Sequence, residues 1–124
     1  MICDMGTRGY IVVKFQNKYY RVYNHNDSDP QNLGEAIVSL IRKRKPKAIE
    51  SYKNYILGLC DKYDIEEDVS QHQIDTSNEW TYIIDLDAMT FTIKGATYEP
   101  TYLLNSIPDD WYTQFATLNH WYSD

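Results

Sequence analysis

Asn24-His25-Asn26-Asp27-Ser28-Asp29 sets an imidazole, two carboxylates, a hydroxyl and two amides side by side. Loops of this kind at strand ends are where rigid scaffolds place function. Three chemistries fit the residue types. His25 can act as general base beside Ser28 as nucleophile; His25 with Asp27 and Asp29 can ligate a metal; or the loop can read an anion or a peptide. A structural role fits the same residues. Asn, Asp and Ser are turn formers, Asp27 or Ser28 can cap a helix near Leu33, and Asn24 can bond backbone as a buried polar group.

A second group lies upstream. Gly6-Thr7-Arg8-Gly9 has glycines that let amides approach an anion and a guanidinium that can clamp it with two hydrogen bonds. It lacks the spacing and the lysine of a P-loop. If Tyr10 faces His25 across a hairpin, Arg8 and Asp27 come close at the strand ends, and an ion pair between them would lock the loop as readily as bind a substrate. Arg42-Lys43-Arg44-Lys45-Pro46-Lys47 has the composition of a nuclear localisation signal or nucleic-acid patch; a helix C-terminus, where cations complement the dipole, explains it equally. Cys3 could serve an N-terminal cysteine hydrolase only after removal of two residues. His72 and His120 have no ligand spacing to each other or to the cysteines.

The elements that must position these groups follow from periodicity. Residues 10 to 24 alternate as a hairpin with its turn at Asn17-Lys18 and Gln16 facing Tyr19. Phe15, Val13 and Ile11 then share a face with Tyr20, Val22 and Asn24. A second hairpin pairs Trp80 to Leu86 with Met89 to Lys94 around Asp87-Ala88, collecting Trp80, Tyr82, Ile84, Leu86, Met89, Phe91 and Ile93 on one face. Between them lie two helical patterns, one through Leu33, Ile37, Leu40 and Ile41, and a longer one from Ile49 to Tyr63. Residues 64 to 79 are polar without a period and read as a surface loop. Ser106-Ile107-Pro108-Asp109-Asp110 reads as a capped helix start, with Trp111, Phe115 and Leu118 as anchors and Trp121 and Tyr122 less buried.

Composition narrows the class. The 124 residues suit one domain spanning 1–124, and 43% hydrophobic residues with twelve tyrosines exclude disorder. A formal net charge of −6 disfavours a nucleic-acid binder. No stretch suits a membrane span, and Met1-Ile2-Cys3-Asp4-Met5-Gly6 lacks the regions of a signal peptide. A cytoplasmic protein with reduced Cys3 and Cys60 is expected, or a nuclear one if Arg42 to Lys47 is an import signal.

Three motifs carry a likeness: Gly6-Thr7-Arg8-Gly9-Tyr10; Asn24-His25-Asn26-Asp27-Ser28-Asp29-Pro30 with Leu33-Gly34; and Glu79-Trp80-Thr81-Tyr82-Ile83-Ile84-Asp85-Leu86-Asp87 with Phe91 and Ile107-Pro108. In this order, over most of the chain, the sequence resembles a family of short uncharacterised proteins of fungi, large DNA viruses and phages. The family's middle motif reads Asn-His-x-Asp-Ser-Tyr-Pro-x-Gly-Leu-Gly. Here Asp29 stands for the tyrosine and Asn32 for a glycine, so neither a role of that tyrosine nor a glycine-only backbone carries over. The resemblance implies a domain and a candidate site rather than a reaction.

The expectation is an α+β fold, an antiparallel sheet of two hairpins with helices on one face. Its function is expected to be that of a soluble binding or regulatory module holding an unknown protein or small anionic ligand through Arg8, Asn24, His25 and Asp27, with self-association allowed for and no cofactor or metal. The alternative is a small hydrolase or metal-dependent enzyme using His25, Asp27 and Ser28.

Overall fold

The computed structural model describes residues 7–43 and 65–121. The helical pattern from Ile49 to Tyr63, both cysteines, Gly6, Arg44 to Lys47 and Tyr122 lie outside the described residues.

Strand β1 (Gly9–Phe15) turns into β2 (Lys18–Asn24) through Gln16 and Asn17. Both turn residues have positive φ, 52° and 65°, as a two-residue type I′ turn demands. Asn tolerates this backbone, and a turn at Asn17-Lys18 would have forced a lysine into it. Phe15 therefore faces Lys18, and Tyr10 faces Tyr23 rather than His25. The correction leaves the two faces intact, because the register differs from the expected one by an even step.

β3 (Glu66–Val69) and α2 (Gln71–Asp75) occupy the segment expected to be a loop. Ser70 caps α2 reciprocally. Its hydroxyl accepts from the Gln73 amide at 3.1 Å, and Gln73 Oε1 accepts from the Ser70 amide at 3.1 Å, a capping box legible in Ser70-x-x-Gln73. β4 (Trp80–Asp85) and β5 (Thr90–Lys94) pair antiparallel, Thr81 opposite Lys94 and Asp85 opposite Thr90. β6 (Thr101–Leu103) follows on the edge.

Among the described residues the sheet has six strands in the order β3-β2-β1-β4-β5-β6. Its central pair, β1 with β4, is parallel, so the expected antiparallel sheet is a mixed one. Parallel strands require both faces covered and a long crossover between them. The chain between β2 and β4 supplies that crossover. Ile11, Val12 and Val13 are fully buried in succession, as coverage of both faces requires.

Helices accordingly lie on both faces, not one. On the first face, α1 (Glu35–Lys43) and α3 (Trp111–Leu118) cover the strands. Ile37, Val38, Leu40, Ile41, Trp111 and Phe115 join Ile11, Val13, Val22, Tyr82, Ile84, Phe91 and Ile93 in one cluster. On the second face, Ile74 of α2 packs with Val12 and Val69. α3 starts five residues after Ser106, with Asp110 as N-cap but without a side-chain cap bond. Leu118 is 52% exposed and anchors nothing, whereas Ala116 is buried. Trp121 is 42% exposed, its ring edge-on to Trp80 and Phe115. Arg42 at the end of α1 donates to the Pro108 carbonyl at 2.7 Å, so this member of the basic run ties α1 to the segment before α3. Among the described residues no helix is long and apolar enough to cross a membrane.

Asp87 joins the two turns. Its carboxylate accepts the amides of Gln16 at 2.8 Å and Asn17 at 3.0 Å. The bond from Asn17, opposed by slight desolvation and aided by Gln16 and Lys14, holds its pKa below the ordinary value. A carboxyl more acidic in the folded chain contributes stability above its unfolded pKa and loses it as pH falls through the folded one. Asp87→Asn should lower stability by about 1 kcal/mol at neutral pH, a small figure because the site is exposed. It should also flatten the acid limb of the stability profile. Urea midpoints from pH 7 to pH 2 check this; a variant whose acid limb runs parallel to that of the parent would remove Asp87 from the account.

Candidate functional site

β1 lies between β2 and β4, and Gly9 pairs with both Asn24 and Trp80. Continuing the two registers one residue outward sets Arg8 between His25 and Glu79. The next row inward on the same face is Tyr23, Tyr10 and Thr81, and the next is Arg21, Val12 and Ile83. The rings connect these rows. His25 stands edge-on to Tyr23 at 4.5 Å between centroids, Tyr23 meets Tyr10 at 5.1 Å, and the Arg21 guanidinium covers the Tyr10 ring at 4.4 Å. Such contacts fix aromatic side chains before any ligand arrives.

Arg21 is already engaged. Its Nε and an Nη donate to the two Glu66 oxygens at 2.8 and 2.9 Å, a bidentate pair that ties β2 to the edge strand β3. That bond holds the guanidinium pKa above its ordinary value in spite of burial. Tyr10 and Arg21 floor an open cleft of about 320 Å³, walled by Gln73 and by residues 76–79 after α2. Sequence reasoning missed this cleft because its wall belongs to the aperiodic acidic stretch; the capping box at Ser70 was the signal that a helix stood there.

The sequence-selected loop divides into an inner and an outer part. Ser28 is fully buried. Its amide donates to the Thr7 carbonyl at 3.1 Å. Its hydroxyl accepts from the Asn24 side-chain amide at 2.7 Å and donates to the Asn24 carbonyl at 3.2 Å. Its carbonyl accepts from the Tyr82 hydroxyl at 2.5 Å. Burial, with a smaller contribution from Asp29, pushes the Tyr82 hydroxyl pKa up, so it remains a donor. Asn24 also donates to the Asn26 carbonyl at 2.5 Å. Ser28 and Asn24 thus hold the loop against β1 and β4. Gly9 admits this closeness: a Cβ there would lie 2.7 Å from Ser28 Cβ and 2.9 Å from the Trp80 carbonyl oxygen.

The outer part is exposed. Arg8, His25, Asn26 and Asp27 face solvent, Asp27 with φ of 52°. Among the described residues no hydrogen bond joins His25 to Ser28 and no ion pair joins Arg8 to Asp27. No group of three metal-ligating side chains forms among the described residues, so His25, Asp27 and Asp29 do not converge. Neither Asp27 nor Ser28 caps a helix. The wide π-type turn Pro30–Gly34 that leads into α1 begins at Asp29, whose carbonyl accepts the amides of Asn32 and Leu33 at 3.0 Å. Asn32 Nδ2 donates to Asp29 Oδ1 at 2.8 Å. The two departures from the resembled motif are therefore bonded to each other, and Asn32 has no positive φ.

The geometry offers an exposed guanidinium and imidazole at one end of the sheet, backed by the tilted rings of Tyr10 and Tyr23, with a polar cleft and the Glu79 carboxylate toward β4. Guanidinium and imidazole together suit an anion's oxygens. Comparison with protein-family models, with curated proteins and with solved structures yields no match to this chain.

Proposed function

We propose that this chain is a small binding or regulatory module that recognises an anionic group, carried by a partner protein or a small molecule, at the sheet end where Arg8 and His25 share a row. The observation that carries this reading is the division of the loop. Ser28 is sealed inside by four hydrogen bonds, while the cationic and aromatic groups beside it face outward on a stiff sheet. Arg8 and His25 supply the contacts, Asn24 sets the loop's path, and Asp27 forms its rim and rejects a ligand carrying excess negative charge.

The hydrolytic alternative asks Ser28 to leave Asn24 and turn toward His25, which would leave buried polar groups without partners at a cost of about 1–3 kcal/mol each. Binding requires no such rearrangement.

The test is titration with inorganic phosphate, following the His25 ring and the Arg8 side chain by NMR. Saturable shifts at both residues are expected, with affinity reduced roughly tenfold in Arg8→Ala, the loss of one charge-assisted contact. Ser28→Ala should lower the melting temperature of the domain while leaving phosphate affinity within twofold. Shifts spread over the many surface cations, or an Arg8→Ala variant that binds as the parent does, would defeat the reading.

A further inference from the structure

We infer that the ligand is a phosphorylated sugar: its phosphate sits on the Arg8 and His25 row, and two adjacent hydroxyls enter the cleft beside Glu79. The inference rests on the anion-binding reading above and adds the class of ligand. The cleft, at about 320 Å³, stands at the small end of ligand sites, roughly 300–1,000 Å³, which suits a monosaccharide.

Its polar groups are of the right kind. Among the described residues no hydrogen bond or ion pair engages the Glu79 carboxylate or the Asn78 side-chain amide, and both line the cleft. Ser77 accepts from the Glu79 amide at 3.2 Å through its hydroxyl oxygen, which leaves the hydroxyl proton to donate. An ionised carboxylate is acceptor-only and can take two hydroxyl donors at once, as acidic residues do with ribose. The amide of Asn78 and the Ser77 hydroxyl can then donate to the hydroxyl oxygens.

Charge selects against the other occupants of such a cleft. A cation drawn to Glu79 would meet Arg8, one residue before β1, and a second anion would meet the carboxylate itself. A neutral hydroxyl donor meets neither penalty. Position agrees as well: Arg8 directly precedes β1 and Glu79 directly precedes β4, whose first residues Gly9 and Trp80 are paired, so the cationic row and the cleft lie side by side at one end of the sheet.

The experiment compares three probes by calorimetry on the full chain: inorganic phosphate, ribose 5-phosphate and 2-deoxyribose 5-phosphate, each against the parent and Glu79→Gln. The substitution leaves the backbone bonds of Glu79 in place, so the fold is retained. Ribose 5-phosphate should bind the parent at least tenfold more tightly than phosphate, the deoxy sugar should lose most of that gain, and in Glu79→Gln ribose 5-phosphate should bind no more tightly than phosphate does to the same variant. Adenosine monophosphate then separates the sources: tighter binding than ribose 5-phosphate assigns a nucleotide, and equal binding a free sugar phosphate. Equal affinity for phosphate and both sugars would overturn the inference and leave the anion site standing. Tight sugar binding indifferent to Glu79→Gln would overturn it too. Failure of every probe, phosphate included, would remove the anion site and this inference with it.

Discussion

Gly9→Ala is expected to lower the melting temperature by roughly 10 °C, from about 2–3 kcal/mol of overpacking at about 4 °C per kcal/mol for a domain of this size. The cost is one of space, since φ at Gly9 is not positive. The added Cβ would lie 2.7 Å from Ser28 Cβ and 2.9 Å from the Trp80 carbonyl oxygen, and neither neighbour is the free end of a flexible chain. Ser28 is held by Thr7, Asn24 and Tyr82, and Trp80 is paired to Gly9 in the parallel seam. Relief must therefore move the 24–28 loop away from β1, breaking the bond from the Ser28 amide to the Thr7 carbonyl. The variant should also displace the His25 ring resonances while leaving those of Phe91, on the far side of β4, near their parent positions. A melting temperature within 2 °C of the parent would mean that loop and strand are not held as closely as described.

How much of this fold was legible follows from which interactions are local. The alternation of Tyr82, Ile84, Phe91 and Ile93 assigns four buried residues to one face because side chains on a strand repeat every two residues. The parallel pairing of β1 with β4 has no such signature: it joins segments far apart in the chain and depends on the crossover between them. β3 was illegible for a related reason. Glu66, Glu67 and Asp68 are exposed and carry no apolar period; they form a strand because Arg21 of β2 grips Glu66 and Val69 closes over Val12. The expected hairpin register failed on one local detail, which two residues take left-handed backbone.

The site divides along the same line. Arg8 and His25 were recognisable by type, and their exposure keeps them in the proposal. Ser28 has the residue type of a nucleophile and the environment of a latch, a distinction set by Gly9 and Tyr82, which come to it from other strands. Glu79 and Asn78 drew no attention as chemistry-bearing residues because they belong to an aperiodic stretch, and only the pairing of β1 with β4 brings that stretch to the start of β1.

Trp111→Ala is expected to cost about 4 kcal/mol, since the side chain is wholly buried in the cluster on the first face. Trp111 and Tyr82 belong to one cluster and both flank Gly34, where an added Cβ would stand 3.1 Å from one ring and 3.3 Å from the other, so removing the indole should also loosen the packing around the phenol that holds Ser28. Trp111→Phe should cost much less, about 1–2 kcal/mol. Among the described residues the indole Nε1 is buried without a hydrogen-bond partner, and an unsatisfied buried donor is itself a penalty that phenylalanine removes, offsetting part of the lost volume. Urea unfolding at constant m-value measures both. Should Trp111→Phe prove as damaging as Trp111→Ala, the indole N–H must have a partner in solution, and the first face would be held by a polar contact as well as by packing.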